Sequence, residues 1–113
     1  MASRLGVEFL EFVYLAPYER LARSQISAEV ERAFEAMVIA NPDVGDVVPG
    51  LSGARKVRVA VRGRGKRGGA RFLYFLRLAR GRVYVLTAFT KNVQADLTSE
   101  QRKHIRQIVT SLR

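Results

Sequence analysis

The apolar positions of this chain change their spacing from segment to segment, and each change marks an element. Val7, Phe9, Leu10, Phe12, Val13, Tyr14 and Leu15 form a near-continuous apolar run broken by Glu8 and Glu11. Such a run predicts a strand that ends before Pro17, with one end or face in water. Tyr18 to Ser24 is expected to make a short helical turn. Next, Ile26, Val30, Phe34, Met37 and Val38 recur every three or four positions. That spacing predicts one apolar helical stripe. Ser27 is placed to cap the helix, and Glu29 and Glu31 sit in its first turn, where the helix dipole favours negative charge. Asn41-Pro42 stops it near Ala40. Phe34 and Met37 belong to the packing stripe on this reading.

Asn41 to Gly53 is rich in Pro, Gly, Asp and Asn and predicts a loop. From Arg55 onward the pattern switches to alternation. Val57, Val59 and Val61 point one way, and Lys56, Arg58 and Arg62 point the other. A half-buried strand with a cationic outer face follows. Gly63 to Gly69 is a Gly/Arg/Lys loop. Ala70 to Leu78 and Val83 to Phe89 are apolar on both faces, so both are expected to be central strands. Ala79-Arg80-Gly81 joins them as a hairpin turn. Thr98 with Gln101 forms a capping-box pattern, and Ile105, Ile108, Val109 and Leu112 give the stripe of a last helix. Strand, one or two helices, three strands and a helix together predict an α+β fold with a mainly antiparallel sheet.

Charge sharpens this picture. The formal net charge of the 113 residues is +10. Residues 1–46 carry four basic and eight acidic residues, whereas residues 47–95 carry twelve basic and none acidic. A folded chain with its charge concentrated in this way points to a polyanion partner, most simply nucleic acid. A chain of this length is expected to form one domain. It has no cysteine and one histidine. Disulfides, thiol catalysis, cysteine metal sites and multi-histidine metal sites are thereby excluded. No apolar run is long enough to span a membrane, and Met1-Ala2-Ser3-Arg4 lacks a signal-peptide layout; a cytoplasmic protein is expected.

Several motifs invite chemistry. Gly63-Arg64-Gly65-Lys66-Arg67-Gly68 matches GxGxxG in letters, but a strand-like segment follows it, and no acidic residue lies about twenty positions on. It is not a Walker loop, because Arg67 stands where Ser or Thr should follow Lys66. A better use is phosphate contact, with glycines allowing close approach and Lys66 and Arg67 supplying charge. If the strands from Arg55 and Ala70 pair, Lys56 and Arg58 converge with Arg71 on one face, able to grip a phosphate. Tyr74 and Tyr84 are candidates for base stacking or proton transfer, and equally for core aromatics with a hydroxyl at the edge. His104 reads as a helix-surface bystander. Asp96 and Glu100 do not suggest paired-carboxylate catalysis.

Taken in order, these residues resemble a known family. Asn41-Pro42-Asp43-Val44-Gly45-Asp46-Val47-Val48-Pro49-Gly50, then Gly53-Ala54-Arg55-Lys56-Val57-Arg58, then Gly65-Lys66-Arg67-Gly68-Gly69-Ala70-Arg71 with Tyr74 three on, resemble motifs of RelE-superfamily toxins, in particular the HigB-like branch. Tyr84-Val85-Leu86, Phe89-Thr90-Lys91-Asn92 and Asp96-Leu97-Thr98 continue the likeness, which spans about residues 7 to 110. The resemblance implies a RelE-like α+β fold. This is a small sheet of about four strands, with two N-terminal-half helices on one side, a C-terminal helix and a basic cleft. It implies the toxin of a type II toxin–antitoxin pair that cleaves mRNA in the A site of the translating ribosome. It also implies a HigA-like helix-turn-helix antitoxin, with operator DNA bound only through the toxin–antitoxin complex.

Such cleavage needs neither metal nor cofactor, because the substrate's own 2′-hydroxyl attacks the adjacent phosphorus. It needs a base, an acid and cations for the pentavalent phosphate. A lysine among arginines gives up its proton more readily, since like charge disfavours the charged form. The expected catalytic set is therefore Lys56 or Lys91 as base, with Arg58 and Arg71 on the phosphate. Arg55, Arg62, Lys66, Arg67, Tyr74 and Tyr84 are expected to bind flanking RNA or ribosomal RNA. Two other functions suit the same charge: a ParE-like poison of DNA gyrase on the same fold, and a basic module that binds nucleic acid without cutting it.

Overall fold

Ser27 caps its helix as its position predicts, and its side chain accepts a hydrogen bond from the Val30 N–H. In the computed structural model, which describes residues 10–61 and 69–113, that helix is the second of three. In chain order the elements are β1 (Glu11–Tyr14), α1 (Ala16–Leu21), α2 (Ala28–Ala40), β2 (Asp46–Val47), β3 (Arg55–Val59), β4 (Ala70–Arg77), β5 (Arg82–Thr90) and α3 (Ser99–Leu112). The sequence pattern locates α2, β4, β5 and α3 to within two residues; β3 starts at Arg55 as expected but ends at Val59, short of the alternation that reaches Arg62. It also foresees the capping box of Thr98 and Gln101, both halves of which form.

The strands make one five-stranded sheet in the order β1-β5-β4-β3-β2. Three of its pairings are antiparallel, and β1 runs parallel to β5. The sheet thus has one strand more than the four expected, because Asp46 and Val47 of the predicted loop pair with Lys56 and Arg55. Proline does not end the N-terminal strand by disrupting it; Pro17 instead opens α1, where its missing N–H costs nothing. The β4–β5 connection is a 3-10 turn, Leu78–Arg80, closed by Gly81 at φ 65°. That left-handed conformation is one glycine adopts freely.

Both faces of the sheet are covered, but by different elements. On one, Tyr18 of α1 and Val30, Phe34 and Val38 of α2 pack on Val57, Val59, Phe72, Tyr74, Val83 and Val85. Phe34 stacks on Phe72 at 4.2 Å between ring centroids and 7° between planes. On the other, Ile105 and Val109 of α3 pack on Leu73, Leu86 and Phe89, with Leu51 and Ala54 beside them. A bulge makes this possible: Leu73 pairs with Thr87 and Tyr74 with Val85, which leaves Leu86 as the extra residue on β5. The expected two helices on one side are therefore α1 and α2, and α3 occupies part of the opposite face. No helix among the described residues is long and apolar enough to cross a membrane.

Candidate functional site

Beyond α3, the second face of the sheet continues onto β3 and the start of β4, and there it is cationic. Arg58 and Arg71 are direct antiparallel partners, and Lys56 lies two residues from Arg58 opposite Leu73. Residues two apart on a strand share a face, as do direct cross-strand partners. Lys56, Arg58 and Arg71 therefore form one array, as the alternation predicts. Gly69 makes room for it. A methyl group there would sit 3.0 Å from Cγ of Arg58 and 3.1 Å from the Val59 carbonyl oxygen. The Arg58 stem thus crosses over the glycine on its way to Arg71.

Arg71 is the most constrained of the three. It lies between Arg58 and, on β5, Phe89. Its Nη1 atom is buried with no hydrogen-bond partner among the described residues. Burial first, and the Arg58 charge second, pull its pKa below the ordinary arginine value. A guanidinium nitrogen out of water and without an acceptor is costly. An anion lying across Arg58 and Arg71 would relieve the like-charge repulsion.

Lys91 follows β5 immediately. Thr90 pairs with Ala70, so Lys91 stands at the same end of the sheet as Arg71. That end is tied down by Gln25, whose Oε1 accepts from the Thr90 backbone N–H at 3.2 Å and from its hydroxyl at 3.4 Å. This open stretch of the β5 edge thereby gains a partner beyond the end of β1.

Other expected site residues lie elsewhere. Tyr74 is fully buried on the α2 face. Its hydroxyl accepts from the Gly45 N–H at 2.8 Å and donates to the Pro42 carbonyl at 2.9 Å. Burial raises its pKa, so the hydroxyl keeps the proton it donates. No surface of the ring is left for a base to stack on. Arg55, opposite Tyr74, also faces away from Lys56. It donates to the Gly45 carbonyl at 2.7 Å and pairs with the Asp43 carboxylate at 3.4 Å. Tyr74 and Arg55 thus both hold residues 42–45. Tyr84 pairs with Phe75, four residues along β4 from Arg71 and hence about 13 Å away. Its hydroxyl accepts from Arg82 at 3.4 Å. Arg62, Lys66 and Arg67 lie outside the described residues.

Asp46, read as a loop acid, is in fact the β2 partner of Lys56 and so stands at the rim of the cation array. The Gly45-Asp46 pair in front of an alternating strand was the available signal. His104 lines a small cleft with Pro17, Leu21 and Thr87, on the β5 side of the sheet away from β3. Among the described residues no cluster of His, Cys, Asp or Glu could hold a metal ion.

Comparison with known proteins gives the class to which this covered sheet and its cation array belong. The family model described as the RelE toxin of the RelE / RelB toxin-antitoxin system matches residues 11–113. The chain belongs to this family, and is accordingly the toxin of a type II toxin–antitoxin pair with an antitoxin as its partner. Among solved structures, the Escherichia coli toxin RelE, a double arginine-to-alanine mutant in the free state, is similar at a TM-score of 0.55 and 14% identity. The match covers 88% of this chain and 97% of that one, and at such low identity it speaks for the fold alone.

Proposed function

We propose that this toxin is a ribosome-dependent mRNA endoribonuclease of the HigB-like branch, acting in the ribosomal A site. The observation that carries this reading is the Arg58–Arg71 rung, two like charges paired across β3 and β4 on a face without a described carboxylate at its centre. That is the arrangement a phosphodiester would complete. Arg58 and Arg71 hold the phosphate and stabilise the charge that gathers on it as the 2′-hydroxyl attacks. Lys56 and Lys91, at the two margins of the array, are placed for proton transfer to or from the reacting oxygens. No metal need enter, since the nucleophile belongs to the substrate. Lys66 and Arg67 are assigned to flanking RNA from the sequence alone. A HigA-like helix-turn-helix antitoxin is the proposed partner, and operator DNA is reached through it.

The test is induction in cells followed by primer extension on mRNA. The expected result is breaks within codons in translated regions. Arg58→Ala and Arg71→Ala should each abolish both the breaks and the growth arrest while the purified variants keep a wild-type circular dichroism spectrum. Chromosomal DNA broken at gyrase sites with intact mRNA would favour a gyrase poison. Binding without any cleavage, ribosomes included, would leave only a basic binding module. Full toxicity of both variants sinks the assignment.

A further inference from the structure

The geometry points to a docking cleft for the antitoxin beside β5, where the buried Thr87 hydroxyl and the Arg20 guanidinium receive an acidic segment carrying an aliphatic side chain. This rests on the family assignment and not on the nuclease reading. β1 ends at Tyr14, opposite Val85, and the Leu15 N–H then donates to the Val85 carbonyl at 3.0 Å. α1 begins at the next residue, Ala16. Beyond Val85 the β5 edge therefore loses its neighbouring strand, and α1 takes its place. Where α1 meets α3 over this edge a small cleft opens, lined by Pro17 and Leu21 of α1, Ile105 of α3 and Thr87 of β5.

Thr87 is what sets the cleft apart from an ordinary crevice. Two polar side chains are buried among the described residues, Thr87 at 3% exposure and Thr90 at 6%. The Thr90 hydroxyl donates to Gln25. The Thr87 side chain makes no hydrogen bond among the described residues. Of the buried side-chain nitrogens and oxygens described, only Arg71 Nη1 is both sealed off and unpartnered, so the Thr87 oxygen is open to the cleft. A buried hydroxyl without a partner costs stability that a valine of the same shape would not. A ligand group that bonds the hydroxyl removes that cost.

The lining also selects the occupant. Its walls are apolar and hold no aromatic ring, so nothing there would stack a base. Its rim carries Arg20 and His104. Glu19, beside Arg20 in the chain, is bonded to Arg23 at 2.6 Å, and Arg20 forms no ion pair among the described residues. α3 adds Arg102, Lys103 and Arg106 against a single acid, Glu100. Carboxylates on the occupant complement this charge. An acidic protein segment with one aliphatic side chain meets both demands, and the partner that the family brings is a protein. α3 separates the cleft from the cation array. Leu73, packed with Ile105 and Val109, pairs with Thr87 on one side and with Lys56 on the other. Docking in the cleft is thereby separable from contact with the array.

The experiment is isothermal titration of the full-length toxin with its full-length antitoxin, beside binding of a fluorescein-labelled single-stranded RNA. Thr87→Val keeps the shape and removes the hydroxyl. It should weaken antitoxin binding roughly tenfold, leave RNA binding unchanged, and leave the melting temperature of the free toxin equal or higher. Arg20→Glu should weaken antitoxin binding by at least about tenfold. Arg80→Glu, the same change of charge in the β4–β5 turn, should have little effect. Wild-type antitoxin affinity in Thr87→Val overturns the proposal. Equal losses in Arg20→Glu and Arg80→Glu overturn it too, since they would report net charge alone. A Thr87→Val variant that loses RNA binding instead makes the cleft a nucleic-acid contact and also overturns it. No cleavage is read in this experiment, so failure of the nuclease reading would leave its result untouched.

Discussion

Arg58 and Arg71 are direct cross-strand partners, two like charges on one rung of the β3–β4 ladder. Like charges in that position destabilise a sheet, so the fold carries a local cost at its functional face.

That cost predicts a trade. Arg58→Gln should raise the stability of the free protein by about 0.2–1 kcal/mol, the range of a cross-strand pair, while removing toxicity. Inorganic phosphate should raise the melting temperature of the wild type in a concentration-dependent way, because a ligand of the native state alone stabilises it. The same titration on Arg58→Gln should be flat. Differential scanning fluorimetry measures both; an equal phosphate effect on the two proteins would contradict the shared anion site.

Gly69 offers a second handle on the same rung. Gly69→Ala places a methyl group 3.0 Å from the Arg58 stem and 3.1 Å from a backbone carbonyl. Since the side chain yields more easily than the backbone, Arg58 should move away from Arg71. Cleavage should fall by at least tenfold while denaturant stability changes by about 1–3 kcal/mol at most. Wild-type cleavage by this variant would show that the close crossing is not needed.

The Tyr74 hydroxyl can be removed without touching its ring. Tyr74→Phe leaves the Gly45 N–H and the Pro42 carbonyl without their partner, and should cost about 1–3 kcal/mol in urea unfolding. Gly45→Ala should cost about the same, by overpacking against the same ring. Because both act on one contact, the double variant should lose less than the sum. Full additivity would mean that the two residues do not work through each other.

Stability at alkaline pH reports on the opposite face of the molecule. Tyr14 donates to Glu35, and Tyr18 donates to Glu31 at 2.6 Å. Burial first, then these hydrogen bonds, raise both hydroxyls well above the ordinary value of 10.0. The folded state therefore holds these protons more tightly than the unfolded state does. Their contribution is fully present below about pH 10 and is lost as the pH climbs from there through the folded values. Urea midpoints should fall steeply above about pH 10, and less steeply in Tyr14→Phe or Tyr18→Phe. Arg23 holds this cluster together, lying 5.0 Å from the Tyr18 ring and 2.8 Å from Glu31.

How much of this was legible in the chain depends on whether the signal is local. The caps of α2 and α3 and the alternation of β3 involve neighbours only, and the sequence discloses them. So does the Lys56–Arg58–Arg71 array, once the strands from Arg55 and Ala70 pair. Partners distant in sequence are another matter. The parallel joining of β1 to β5 has no periodicity of its own, and β2 is two residues inside a loop. Tyr74 lies on a strand apolar on both faces, where only the register and the bulge after Leu73 decide which way the ring goes. Arg55 and Lys56 are adjacent cations with opposite destinations. Their likeness in composition concealed that one serves the loop and the other the cation array.

The joining of β1 to β5 also sets an order in time. Glu11 must wait for Arg82, and Tyr14 for Val85, before the N-terminal strand has anything to pair with. Arg71 likewise has only half its surroundings until Phe89 arrives on β5. A chain emerging from the ribosome thus cannot close its sheet until about three-quarters of it has been made, and α3 comes later still. For a toxin this means that unfinished copies should be harmless. Nonsense mutations anywhere before β5 should yield innocuous fragments, and a cell that aborts translation of this message aborts the poison with it.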